Sequence, residues 1–107
     1  MRHSEAQKAP IFAALGDETR LALLWRLSSG GAQSIARLTE GTELTRQAVT
    51  KHLRVLEGAG LVTSTREGRE SSWTLEPRKI EEAKRYLDRI EAAWDARLDR
   101  LAKLVEE

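Results

Sequence analysis

The stretch TRQAVTKHLRVLEGAGLV, residues 45–62, decides how the fold is interpreted. Thr45 belongs to the residue types that cap helix N-termini well, and the apolar residues after it have helical spacing. On an ideal wheel of roughly 100° per residue, the apolar side consists of Val49, Leu53 and Leu56. The residues almost opposite are Gln47, Thr50, Lys51 and Arg54, and those flanking the apolar stripe are Arg46 and His52. This pattern predicts a helix that packs through one face and exposes a basic one.

Two helices are predicted before residue 34. Residues 1–8 are polar and are expected to form a flexible arm, and Pro10 suits the first position of a short helix that Gly16 ends. Asp17 is placed to cap a second helix, which Gly30 ends. The apolar residues of this second helix are Leu21, Leu24, Trp25 and Leu27. We expect Trp25 to pack in the core with the leucines, because large aromatic residues dominate the burial available to a small domain.

The following segment predicts a helix-turn-helix over residues 34–58. The sequence SIARL, starting at Ser34, indicates a third short helix with Ile35 and Leu38 facing inward. The connection TEGTEL is longer than the roughly 3 to 4 residues of a minimal helix-turn-helix. The first helix of the motif therefore has room to extend or shift before Thr45 opens the second.

Residues 61–75, LVTSTREGRESSWTL, have the composition of strands. β-Branched and aromatic residues surround the polar sequence EGRE, which can turn the chain. We predict a two-stranded hairpin with Trp73 and Leu75 facing inward, because an isolated hairpin is only marginally stable and must lean on the helices. Arg66 and Arg69 are then near the hairpin tip.

The last segment, residues 77–107, predicts one long helix that begins at Pro77 and contains no further glycine or proline. Its apolar residues recur every three or four positions, and those expected at an interface between two copies are Ile80, Leu87, Ile90, Trp94, Leu98 and Leu101. Such a helix is ~45 Å long, whereas a domain of this size has a radius of gyration of about 13 Å. We therefore predict a two-fold homodimer; the alternative is a helix that bends back over its own core.

Composition narrows the classes of function. The chain has 107 residues, of which 40% are hydrophobic and 33% charged, which is typical of one small helix-rich domain. Its net charge of +1 does not by itself indicate a nucleic-acid partner. The absence of cysteine excludes disulfide scaffolds, thiol redox sensing and cysteine-ligated zinc. No signal peptide or bilayer-spanning run of ~20 apolar residues is present, so we expect a cytoplasmic protein without membrane contact.

Helix, turn, helix and hairpin in this order predict a winged helix-turn-helix, mostly α with a small β-hairpin and a long C-terminal dimerisation helix. In this fold the second helix of the motif enters the major groove of double-stranded DNA. Arginine and lysine can reach guanine and glutamine can pair with adenine, while a helix N-terminus and basic side chains hold phosphates. The predicted DNA-binding residues are Thr45, Arg46, Gln47, Thr50, Lys51, His52, Arg54, Arg66 and Arg69.

Three segments together resemble the ArsR family of bacterial winged-helix repressors. They are LGDETRLALLWRL, LTRQAVTKHLRVLEGAGLV and REGRESSWTL, and the resemblance extends over nearly all of the chain. It implies a homodimeric repressor that binds an inverted repeat near a promoter, leaves it when a signal arrives, and associates with the nucleoid while bound.

The chain departs from the metal-sensing members of that family. Those members carry cysteines at the start of the helix before the recognition helix, or acidic and histidine ligands on the C-terminal helix. Here the first region is QSIARL and the last helix has no histidine. The resemblance therefore implies a metal-independent subgroup without a cofactor, in which His52, at the KHL position of the family, packs or contacts a phosphate. An apolar small-molecule effector near Trp94 is one hypothesis, and simple packing of Trp94 across the two-fold axis is its alternative.

Two other classes of function give different expectations. A protein-interaction module would dock a partner on the long amphipathic helix and use the helix-turn-helix only as a scaffold. Its affinity would depend far less on salt than DNA binding, which releases counterions. An enzyme is not expected, because no histidine pairs with a plausible nucleophile and there is no glycine-rich phosphate loop or cluster of metal ligands. The sequence therefore predicts a sequence-specific DNA-binding regulator.

Overall fold

The computed structural model describes residues 2–106, with side chains described from Glu5 onward. Within this range the chain forms five helices and a three-stranded sheet. The elements are α1 (Arg2–Leu15), α2 (Glu18–Gly30), β1 (Gln33–Ser34), α3 (Ile35–Thr39), α4 (Arg46–Gly58), β2 (Val62–Glu67), β3 (Glu70–Leu75) and α5 (Pro77–Glu106). The mostly helical winged helix-turn-helix predicted from the sequence is confirmed.

Helix α1 begins earlier than predicted. The flexible arm expected over residues 1–8 is wrong from residue 2 onward, because residues 2–8 form the first half of α1; Met1 lies outside the described residues. Pro10 lies inside the helix instead of opening it. An internal proline removes one backbone hydrogen bond, but packing of α1 against α5 after the proline supports the helix. Lys8 borders the same groove as Asp88 of α5, and the ring centroids of Phe12 and Tyr86 are 5.9 Å apart.

Helix α2 presents a different face to the core than predicted. Asp17 caps it as expected, since its Oδ1 accepts a hydrogen bond from the Arg20 amide at 3.0 Å. The buried residues of α2 are Leu23, Leu24 and Leu27. The prediction was wrong for Leu21 and Trp25, which are exposed, Trp25 at 76%. These two residues lie one turn apart on a second apolar face, and helical spacing alone does not say which of two adjacent apolar faces meets the core.

Helices α3 and α4 form the helix-turn-helix. Helix α3 begins after its N-cap Ser34, with Leu38 buried as predicted, and it ends at Thr39 without extending. The long connection is therefore a loop over residues 40–45. Arg26 of α2 closes the end of α3 by donating hydrogen bonds to the carbonyls of Arg37, Leu38 and Glu40 at 2.7, 2.7 and 3.1 Å. These bonds supply donors at the end of α3, where the Arg37 carbonyl also accepts from the Glu40 amide at 3.2 Å.

The predicted hairpin is confirmed and is joined by a third strand. Strands β2 and β3 pair antiparallel with Ser64 opposite Trp73, and β1 pairs with the other edge of β3. Strand β1 was not predicted because two residues are too few to reveal an alternating pattern. The tip turns at Gly68, whose φ of +63° is accessible to glycine and suits the first position of a two-residue hairpin loop.

All five described helices and the hairpin share one core. The apolar side of α4, formed by Val49, Leu53 and Leu56, is fully buried as predicted. Trp73 of β3 is 1% exposed, and Leu75 packs at the edge of the same cluster. The Nε1 atom of Trp73 is buried without a hydrogen-bond partner. Among the described side chains, no other buried nitrogen or oxygen atom lacks one. The core therefore fixes α4 against the hairpin through the Trp73 ring.

Helix α5 projects far beyond this core. Ala83 is the buried residue of the helix, and every described residue after Tyr86 is exposed. The molecule measures 69 × 29 × 20 Å and has a Cα radius of gyration of 18.5 Å, against about 13 Å for a compact domain of this length. The prediction of one long overhanging helix is confirmed. None of the helices in the described range has the length and apolarity needed to cross a membrane.

Candidate nucleic-acid interface

The start of α4 is exposed and capped by a side chain. Thr45 is the N-cap, as predicted, and its Oγ1 accepts a hydrogen bond from the Ala48 amide at 3.0 Å. The cap satisfies one of the N–H groups that a helix start leaves free, and the remaining ones carry the positive end of the helix dipole. This end of α4 can therefore receive an anion.

The polar face of α4 is accessible over its first two turns. Arg46, Gln47 and Lys51 are exposed, and Thr50 is half-buried. The Thr50 hydroxyl donates a hydrogen bond to the Arg46 carbonyl at 2.7 Å, so its oxygen is left as an acceptor. The structure thus brings the four residues predicted to meet base edges onto one exposed surface.

Arg54, in the third turn, is held by two neighbours. Its Nη1 donates to Oε1 of Glu57 at 2.8 Å, and its guanidinium carbon lies 5.1 Å from the centroid of the Trp73 ring. The side chain remains 58% exposed. Arg54 therefore carries its charge at a fixed place on the surface.

Glu57 links α4 to the hairpin. Its Oε2 accepts a hydrogen bond from the Ser64 hydroxyl at 2.7 Å, while Oε1 pairs with Arg54. The Ser64 hydrogen bond and then the Arg54 guanidinium lower the pKa of Glu57 below its ordinary value. The carboxylate is consequently ionised at neutral pH.

His52 lies away from the exposed polar face. Its Nδ1 is 3.3 Å from Nη1 of Arg20 and 3.9 Å from Oδ1 of Asp17, both on the α2 side of the molecule. The Arg20 amide, and then the charges of Arg20 and His52, lower the pKa of Asp17. His52 therefore packs α4 against α2, one of the two roles expected of it. Among the side chains that the structure describes, Glu5 to Glu106, no three histidine, aspartate or glutamate residues come together as a metal site.

The hairpin brings the two predicted wing arginines to different places. Arg66 is exposed, and its Nε donates to the Gly68 carbonyl at 3.3 Å within the tip. Arg69 instead borders a groove between the start of α3, α4 and β3, whose charged lining residues are Arg46, Arg54, Arg69 and Glu70. Three arginines against one glutamate give this groove a net positive charge, which favours an anionic strand.

The six residues predicted at a dimer interface lie uncovered along α5. Their exposure ranges from 36% for Ile80 to 56% for Trp94. A row of large apolar side chains this open to solvent is unusual for a monomer.

Three residues with contacts at this site were not among the predicted DNA-binding residues: Glu57, Ser64 and Trp73. The spacing of Arg54 and Glu57 by three positions on a helix was a readable signal for their ion pair. The partnership of Glu57 with Ser64 depends on how the hairpin folds back on α4, and no local pattern in the sequence contains that information.

The sequence profile of a family described as a helix-turn-helix domain matches residues 15–65. The chain is 47% identical over 68 residues to an uncharacterized HTH-type transcriptional regulator, YuzN, of Bacillus subtilis (strain 168), an alignment that covers 58% of this chain and 74% of that protein. It is 32% identical over 69 residues to the arsenical resistance operon repressor of the same organism, covering 64% of this chain and 66% of that protein.

A solved structure similar to the whole fold is that of an ArsR-like transcriptional regulator from Rhodococcus sp. RHA1. Its TM-score against this chain is 0.82 at 37% sequence identity, and the match covers 95% of both chains. The likeness therefore includes the sheet and α5 as well as the helix-turn-helix.

Proposed function

The chain belongs to the ArsR-like family of helix-turn-helix, DNA-binding transcriptional regulators, and we propose that it acts as a homodimeric repressor of an inverted-repeat operator. The single observation that carries this proposal is the exposed, basic face of α4 on a helix whose other side is fully buried. The arsenical resistance operon repressor among its relatives supports the repressor role. We assign residues 34–58 to the helix-turn-helix, 61–75 to the wing and 77–107 to dimerisation.

Base recognition is assigned to the first two turns of α4. Arg46 and Lys51 are exposed and can donate to guanine O6 and N7, and Gln47 can form a bidentate pair with adenine. Thr50 offers its oxygen as an acceptor, because its proton is engaged by the Arg46 carbonyl. These contacts would supply the sequence preference of the complex.

Backbone contacts are assigned to the periphery of this face. Thr45 and the free N–H groups at the start of α4 suit one phosphate, and the groove bordered by Arg54 and Arg69 suits the adjacent sugar-phosphate strand. Arg66 at the hairpin tip is placed for a wing contact. Phosphate contacts of this kind fix the register of a protein on DNA without reading its sequence.

Dimerisation is assigned to α5. Its uncovered apolar row needs a cover, and the same row from a second copy is self-complementary about a two-fold axis. Two recognition helices related by such an axis read the two halves of an inverted repeat.

The test is binding of the purified protein to fluorescent DNA from its own upstream region and to a scrambled duplex of equal length, titrated with salt, with and without a chelator. We expect preference for the native DNA, a steep fall of log affinity with log salt, and no effect of the chelator. Equal and weak binding to both duplexes would contradict an operator in that region. Salt-insensitive capture of a protein partner through α5 would instead favour the interaction-module alternative.

A further inference from the structure

The last turn of α4 carries a carboxylate where a DNA-binding helix is expected to be basic. Glu57 is one turn beyond Arg54 on the same side of the helix, and it is the acidic residue of the stretch 45–58. A negative charge at this place repels DNA phosphates and, taken alone, weakens binding. Its contacts indicate what it contributes in return.

Glu57 uses both carboxylate oxygens. One accepts from Arg54 of its own helix at 2.8 Å, and the other accepts from the Ser64 hydroxyl of β2 at 2.7 Å. Both distances are within the range of charge-assisted hydrogen bonds. The carboxylate therefore ties the guanidinium of α4 to the hairpin.

The Trp73 ring makes a second contact with the same guanidinium. The ring is buried and hence fixed, and it lies 5.1 Å from the guanidinium carbon. An indole offers the strongest aromatic face to a cation. Arg54 is thus held from two sides, and the same residue borders the open groove.

We propose that Glu57 is a positioning residue for DNA binding: it fixes the Arg54 guanidinium against Trp73 so that Arg54 meets a backbone phosphate without first being ordered. This inference rests on the proposed function, in which Arg54 contacts phosphate. An arginine that is already ordered loses less side-chain entropy when it binds. Positioning then outweighs the repulsion of the carboxylate.

The proposal and simple charge repulsion predict opposite effects of Glu57→Gln on DNA affinity. A matched control variant, Glu70→Gln, shows the effect of charge alone. Glu70 borders the same groove, and its side chain forms no hydrogen bond or ion pair with another described residue, so Glu70→Gln removes a carboxylate without removing a side-chain partner. We expect Glu70→Gln to strengthen binding to native and scrambled DNA. Glu57→Gln should weaken binding roughly three- to tenfold, the loss of part of one charge-assisted hydrogen bond, and reduce the slope of log affinity against log salt by up to about 0.9, one phosphate contact.

Arg54→Ala and the double variant Arg54→Ala/Glu57→Gln complete the cycle. If Glu57 acts through Arg54, Glu57→Gln causes no further loss once Arg54 is absent, because the two effects are not additive. A gain in affinity for Glu57→Gln equal to that for Glu70→Gln would overturn the proposal. A loss of affinity on Glu57→Gln that is equally large with and without Arg54 would also overturn the proposal.

A spectroscopic measurement distinguishes a positioning role of Glu57 from a change in stability and from failure of the proposed function. In a Trp25→Phe/Trp94→Phe background, Trp73 is the single tryptophan, and its emission reports on the guanidinium above its ring. Glu57→Gln should change this emission and Glu70→Gln should not; an unchanged spectrum for Glu57→Gln would overturn the proposal. Failure of the proposed function would appear differently, as a wild-type protein with no salt-dependent preference for its upstream DNA. Ser64→Ala, which releases one bond to the carboxylate, should give the same effects at smaller size.

Discussion

Individual side chains on the polar face of α4 differ in their freedom to meet a base. Gln47 and Lys51 are exposed, and neither forms a side-chain hydrogen bond or ion pair with another described residue. Thr50 and Arg54 are bound to groups of the protein itself. Freedom to adapt therefore decreases from the first turn to the third, which suits base readout at the start of the helix and phosphate contact further along.

Gln47→Ala should relax base preference while leaving most of the affinity in place. A glutamine that pairs with one adenine contributes about 1 to 3 kcal/mol of discrimination at that base pair, and at the symmetric one in the other half-site. Competition binding across a set of operators with single base-pair changes measures this. Arg54→Ala is the contrasting variant, since it should weaken all duplexes by a similar factor. Identical relative affinities for Gln47→Ala and wild type would contradict the role of Gln47.

The lowered pKa of Glu57 makes the stability of the protein at low pH a further test of its contacts. Because its folded-state pKa lies below that of the unfolded chain, the unfolded state takes up the proton first. The stability that this carboxylate contributes is therefore present above its ordinary pKa and is lost as pH falls through the folded value. Carbon-detected NMR titration should give Glu57 a pKa below the ordinary value of a glutamate, and Ser64→Ala should raise it. A Glu57 pKa unmoved by Ser64→Ala would contradict the hydrogen bond as the main cause.

At the scale of secondary-structure elements, α2 holds its neighbours through two arginines. Arg20 donates to the carbonyls of Ala13 and Ala14 at the end of α1, at 3.3 and 2.7 Å. Arg26 does the same for the end of α3. Each guanidinium donates to carbonyls in the last turn of the neighbouring helix, where intrahelical donors run out. Helix α2 therefore sets the position of α3, which flanks the groove beside α4.

Arg26→Lys should destabilise the fold even though it keeps the charge. A lysine ammonium cannot span the three carbonyls that the planar guanidinium reaches, and we expect a loss of about 1 to 3 kcal/mol in the free energy of unfolding. Urea unfolding followed by circular dichroism provides the measurement. Arg37→Ala is the control, because that side chain is exposed and should change stability by no more than about 0.5 kcal/mol. Equal effects of the two changes would contradict the capping role.

The elements with the strongest local signals were predictable from the sequence. Helix α4 combines the cap Thr45 with a clear apolar stripe, and α5 has a long unbroken period. The errors at Pro10 and Trp25 have one cause: tertiary packing decides whether a helix continues through a proline and which of two apolar faces turns inward. The same limit applies to the site, where the exposed face of α4 was readable but the contact between Glu57 and Ser64 was not.

Across the whole protein, α5 extends the chain well beyond the core that carries the helix-turn-helix. The core holds the hairpin and the helix-turn-helix together, while the 20 described residues after Tyr86 lie beyond it and expose their apolar row. A chain 69 Å long with such a row exposes more apolar surface than is usual for a monomer. Pairing through α5 would bury the row without covering the polar face of α4.

Leu87→Asp and Trp94→Asp should each convert the proposed dimer into a monomer. A carboxylate at the centre of an apolar interface is costly to bury without a partner. Light scattering measures the molar mass of each variant. The affinity for an inverted repeat should fall as the dimer is lost. Ala96→Asp adds the same charge to the opposite face of α5, about 200° from Trp94 on the wheel, and should leave a dimer. If the Leu87→Asp and Trp94→Asp proteins both remain dimers, the interface lies elsewhere.

The separation of the half-sites follows from the same two-fold arrangement. Recognition helices held by one rigid dimer enter successive major grooves on one side of the duplex, about 34 Å apart or a multiple of it. Inserting about five base pairs between the half-sites turns one of them to the far side of the DNA, so that the dimer can engage only one at a time. We expect the affinity to fall to that of a single half-site, as measured by fluorescence anisotropy. Full affinity for the inserted duplex would mean that the two helix-turn-helix units bind independently, and α5 would then join them without fixing their spacing.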